Sequence, residues 1–142
     1  MFRKSLDIFI ELGARQDVAR ALADMSRSIF ALGNDAEAGR GWHESLRIAT
    51  ETRGIFIALE ALVGLASLQA KHSDMEHALE LLLIVLNHPV ITHETRKRAA
   101  RLRAEVEAQL TPEQIESAQA RAGAQTFESV ADEVLKQANP NP

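Results

Sequence analysis

At 142 residues the chain is long enough for one compact domain or a short repeat array, with well over half of its unfolded surface buried on folding. Hydrophobic residues make up 46% but aromatic ones only 4%, the chain is rich in Ala, Leu, Glu and Arg, and no stretch alternates apolar and polar residues over a strand's length, so an all-α fold is expected. The net charge of -4 argues against direct nucleic-acid binding; zero cysteines remove disulfides, thiolate metal sites and Cys nucleophiles and fit a cytoplasmic setting; and neither a membrane-length apolar run nor a signal-peptide core is present.

The first expected helix covers Phe2 to Leu12, and Gly13 separates it from a second with core positions Leu22, Met25 and Ile29. Asn34, with Glu37 three residues on, caps a helix containing Trp42. The apolar run Ile55 to Leu65 continues helically to Lys71, and Ser73, with Glu76 three residues on, suits the cap of the next helix, which Pro89 ends. Thr92 caps a helix from about His93 to Leu110. Thr111-Pro112-Glu113-Gln114 is a start signal for a helix ending near Gly123, and Thr126 caps a last one through about Ala138. About eight helices result, and residues 139–142 form a tail expected to be disordered.

One internal repeat is visible. Leu22, Met25, Ser26 and Ala38 lay over Leu62, Leu65, Ala66 and Ala78 at a spacing of 40 residues, 78 − 38, and Ser5-Leu6-Asp7-Ile8 lies over Ser45-Leu46-Arg47-Ile48 at the same spacing. Each copy reads as an αα-hairpin, with Ser26 and Ala66 small enough for close helix approach and with Trp42 and Leu82 filling the groove between hairpins.

A large apolar residue, then Leu or Met followed by Ser or Ala, then Gly33-Asn34-Asp35 and Ala38-x-x-x-Trp42, resembles a tetratricopeptide repeat. The spacing of 40 is longer than that family's, and Thr50 stands where a closing proline is usual in the first copy. Longer repeats of this kind are similar to the C-terminal helical regions of large bacterial signal-transduction ATPases and transcriptional activators. The resemblance implies a right-handed superhelical solenoid with C-terminal capping helices. Its expected division is a half repeat over residues 1–13, repeats over 14–53 and 54–91, and closing helices over 92–138. It further implies a piece of a larger regulatory protein whose business is holding protein or peptide partners, with a free-standing adaptor as the alternative. The half repeat lacks a partner helix, so Phe2, Leu6, Phe9 and Ile10 are expected to pack on another copy or a neighbouring chain, making a homodimer the second expectation.

No residue pattern asks for a cofactor, a metal or catalysis. The five histidines lack a helical His-x-x-x-His pair with an intervening Glu, and no Gly-x-Ser-x-Gly elbow or phosphate loop occurs. An enzyme built on His72 or His77 would require a buried pocket joining a histidine to a carboxylate. The basic run Arg96-Lys97-Arg98, with Arg101 and Arg103, has Glu94, Glu105 and Glu107 at four-residue spacing and reads as a salt-bridged solvent face. The surface expected to bind is the concave one, lined by Arg20, Asp24, Arg27 and Phe30 from one hairpin and Glu60, Val63, Ser67 and Lys71 from the next, with Phe30 as anchor.

Overall fold

The computed structural model describes residues 2–137, and the side chains from residue 7 onward apart from residue 9. Seven helices and no strand occur among the described residues: α1 (Phe2–Ala31), α2 (Asp35–Glu51), α3 (Ile55–Lys71), α4 (Met75–Leu86), α5 (His93–Glu107), α6 (Pro112–Gly123) and α7 (Phe127–Gln137). The expected all-α class holds, with one helix fewer. The difference lies at Gly13, where a break was expected and α1 runs through. Nothing crowds Gly13, and a glycine inside an exposed helix costs only about 1 kcal/mol, which thirty helical residues absorb. Residues 2–13 of the expected half repeat are therefore the first turns of α1, and residue 1 and the tail 139–142 lie outside the described residues.

Helices α2, α3 and α4 begin 20 residues apart because α2 and α3 are each 17 residues long and are followed by short turns of one geometry. The left-handed residue after each preceding helix is Gly33 (φ +93°), Arg53 (φ 58°) or Ser73 (φ 69°). The next residue's N–H reaches back to the last turn, from Asn34 to Ile29, Gly54 to Ala49 and Asp74 to Gln69, while the left-handed residue's own N–H bonds Phe30, Thr50 or Ala70. These paired bonds satisfy carbonyls that a helix end leaves open. Ser73 is thus the stop signal of α3 and not the cap of α4, whose N-cap is Asp74 and makes no side-chain bond. The other expected caps form: Asn34 accepts the Glu37 N–H, Thr92 that of Thr95, Thr126 that of Ser129, and Thr111 with Gln114 completes a reciprocal box. Helix α5 stops at Glu107, three residues before the expected Leu110, because the N–H groups of Gln109 and Leu110 bond three residues back, tightening the last turn.

Successive helices from α1 to α4 pack on one another, α1 also touches α3, α3 touches α5, and α4 carries α5 and α6. Helices with neighbours on several sides must be apolar all round, and α3 and α4 are: Leu59, Leu62, Leu79, Leu82 and Val85 are fully buried. Small residues set the close approaches. A Cβ on Gly41 would lie 2.0 Å from Ser26 Oγ, and one on Gly64 would lie 2.1 Å from the Trp42 ring, so α2 presses against α1 through Gly41 and against α3 through Gly64. The expected burial of Trp42, Leu82, Ser26 and Ala66 is met. Met25 is the exception: expected in the core beside Leu22 and Ile29, it is 57% exposed, because α1 turns Ala19, Ala23 and Ser26 inward.

Polar bonds tie helices at fixed points. Ser45 Oγ donates to the Ala19 carbonyl at 2.7 Å in a buried α1–α2 contact, and Gln16 Nε2 donates to the Thr52 carbonyl at 2.8 Å, satisfying an open carbonyl just past the end of α2. Nearly buried Glu80 on α4 accepts from Arg121 Nε at 3.3 Å and from Gln125 Nε2, which anchors α6 and the turn that follows it.

Candidate binding groove

The facing sides of α1, α3 and α5 enclose a groove. Its floor is apolar because Ala23 and Gly64 are too small to cover the Trp42 ring behind them, and Val63 and Leu102 complete it. One part is a hollow of about 200 Å³, and a second of about 390 Å³ shares Phe30, Ser67, Leu102 and Glu105 with it and extends the groove to Lys71 and Met75. Phe30 leans on Trp42 with ring centroids 5.5 Å apart at 58°, and Lys71 Nζ stands 5.1 Å from the Phe30 ring. Lys71 is held there by Asp35 on the first turn of α2, at 2.8 Å, and that hydrogen bond holds the Asp35 carboxyl below its usual range.

Glu60 is the electrostatic centre. Arg98 Nη1 on α5 donates to its Oε1 at 3.1 Å, and Arg27 Nη2 on α1 lies 3.7 Å away while donating to Asp24 at 2.7 Å. Three helices are joined at one carboxylate that is only 20% exposed. Beside it, Arg101 and Glu105 line the hollow, and neither has an ion-pair partner within 4.0 Å among the described residues. A groove with an apolar floor and an unmatched cation and anion on its rim can take an extended or helical protein segment and fix its direction.

The structure brings together Arg27, Phe30, Glu60, Val63 and Ser67 in the first hollow, and Lys71 closes the far end. Ser67 spends its hydroxyl on the Val63 carbonyl at 3.1 Å. Arg20 and Asp24 lie outside: Arg20 pairs with Asp17 at 3.2 Å on an exposed face, and Asp24 only braces Arg27. Of the proposed edge residues, Ile10 is exposed, and the side chains of Phe2, Leu6 and Phe9 fall outside the described residues.

The α5 contribution, Arg98, Arg101, Leu102 and Glu105, was missed, because the sequence reading assigned those charges to one another. Only Arg103–Glu107 forms, at 3.1 Å; Arg98 turns to Glu60 instead. The signal was the amount of basic charge on α5, whose excess a partner elsewhere had to meet.

Four of the five histidines occupy helix ends and surfaces. His72 lies 3.2 Å from Asp35 and is exposed, His77 shares a hydrogen bond with Gln69 at 3.0 Å, His88 meets Phe127 edge-on at 5.2 Å, and His93 is exposed at the start of α5. His43 on α2 is partly buried, and desolvation pushes its pKa down. Among the described residues no group of three or more His, Asp or Glu is placed to hold a metal, and no helix is long and apolar enough to cross a membrane.

Compared with family models, curated proteins and solved structures, the chain matches none at a significant level.

Proposed function

We propose that the domain is an interaction scaffold of tetratricopeptide-like architecture that holds a protein segment in the groove of α1, α3 and α5. The observation that carries this reading is the groove itself: an apolar floor opened by Ala23 and Gly64, with Arg101 and Glu105 unmatched at its rim. The 20-residue spacing of helix starts and the contacts of α1 with α3 and of α3 with α5 support a solenoid arrangement, in which alternate helices line one face. The resemblance of its repeats supports a setting within a cytoplasmic bacterial signalling or transcriptional regulator, where binding in this groove would position or restrain effector domains.

Selection from a random peptide library displayed on phage tests the reading. Selected peptides should shift backbone resonances on α1, α3 and α5, and should lose about tenfold or more in affinity to Phe30→Ala and to Arg101→Glu, the loss expected of one interface anchor. Peptides whose resonance shifts cluster on α6 and α7, with affinity unchanged in both variants, would remove the groove from consideration.

A further inference from the structure

The outward face of α1, turned away from the groove, is apolar. Val18 is 52% exposed, Met25 57% and Leu32, one residue past the helix, 86%; Ala14, Ala21 and Ser28 lie exposed between them, and Ile10, 61% exposed, extends the row. The steps from 10 through 14, 18, 21, 25 and 28 to 32 are threes and fours, which keeps every member on one seam about 33 Å long. Apart from Ser28 the seam is entirely apolar, an arrangement that a two-helix contact requires and a solvated face does not.

The internal repeat indicates what kind of element fits. Forty residues on, Val18, Ala21 and Met25 correspond to Ala58, Ala61 and Leu65 of α3, all of which are buried. Ser28 and Asp24 correspond to Leu68 and Gly64, which meet Gly39 and Trp42 of α2. On α3 this side therefore carries a helix running antiparallel to it, and among the described residues α1 presents the same side without one.

Two rows of α1 indicate which helix. Along the seam, large and small residues are arranged so that an antiparallel copy sets Val18 against Ser28, Met25 against Ala21 and Leu32 against Ala14; each pair of numbers sums to 46, placing the two-fold axis at residue 23. Beside the seam runs the charge row Asp17, Arg20, Asp24, Arg27. Reversed, it sets Asp17 against Arg27 and Arg20 against Asp24, with sums of 44 and an axis at residue 22. Size and charge thus converge on one centre within a residue. We propose that this face binds a second copy of the chain, α1 against α1, in an antiparallel two-fold dimer centred on residues 22–23. The contact uses residues farther along α1 than the edge first expected, shares only Ile10 with it, and meets the groove only at Arg27 on its rim.

The absence of native cysteine gives a clean test. Val18→Cys and Ser28→Cys variants are made separately and oxidised alone and mixed, alongside light scattering of the unmodified chain from micromolar to millimolar concentration. The proposal expects a concentration-dependent rise to twice the monomer mass, a disulfide dimer mainly in the mixed sample, and loss of dimer in Met25→Glu with unchanged helical circular dichroism. In the antiparallel pairing two copies of residue 18 lie about 15 Å apart along the axis, too far to bridge. Unmodified chain that stays monomeric at millimolar concentration overturns the proposal, as does efficient cross-linking of either variant with itself. Neither result bears on peptide binding in the groove.

Discussion

Helices α1 and α3 occupy equivalent places in consecutive hairpins, yet bury themselves differently. On α3, Leu62, Leu65 and Ala66 are all buried, because α1, α2, α4 and α5 surround it. On α1 the corresponding Leu22 is half-buried, Ser26 is buried and Met25 stands in solvent, since among the described residues α2 and α3 are its main neighbours. Similar local patterns therefore have different energetic value, and the number of neighbouring helices decides it. The groove exists where α1, α3 and α5 meet; the seam exists where α1 is covered by no helix among the described residues.

The largest expected effect comes from the residue that joins the two hairpins. Trp42→Ala should destabilise the fold by about 3–5 kcal/mol, since the buried indole fills the space between Gly64 and Phe30; a denaturant midpoint shift measures the loss. A matched pair of truncations tests the comparison itself. Leu65→Ala should cost about 2–5 kcal/mol, and Met25→Ala less than about 0.5 kcal/mol in monomeric protein. Equal costs at the two positions would mean that α1 is buried after all.

The turns give a smaller effect of opposite sign. Arg53 holds a left-handed conformation that Gly33 adopts without strain at the equivalent place, so Arg53→Gly should raise stability by up to about 1 kcal/mol. Acid gives the smallest. The His43 pKa lies below its usual 6.5 in the folded chain, so the unfolded chain binds more protons as pH falls through 6.5. Stability should therefore decline from that point until the folded pKa is passed, and His43→Gln should flatten that part of the profile, with the ring resonances of His43 reporting the titration directly.

What could be read from sequence was local. The caps at Asn34, Thr92, Thr111 and Thr126, the buried pair Trp42 and Leu82, and the groove residues Arg27, Phe30, Glu60, Val63 and Ser67 follow from helical spacing and from the repeat at 40. The 20-residue spacing of the turns was hidden because Gly33, Arg53 and Ser73 share a backbone conformation but no chemistry. Gly13 misled because glycine at a helix end and glycine inside a long helix look alike in sequence. Arg98 was assigned a partner four residues away because that rule sees one helix at a time, whereas the carboxylate it found lies 38 residues back on α3. Met25 required knowing that none of the described helices covers the outer side of α1.

Trp42 is the single tryptophan of the chain and lies directly behind the groove floor, which makes its fluorescence the most direct measure of groove occupancy. Titration of a library-selected peptide into the unmodified chain and into Met25→Glu should shift the Trp42 emission with the same affinity in both, and Arg101→Glu should move the titration midpoint to about tenfold or more higher peptide concentration. A peptide that binds tightly while leaving Trp42 emission unchanged would contradict the assignment of the α1, α3 and α5 groove as the binding surface.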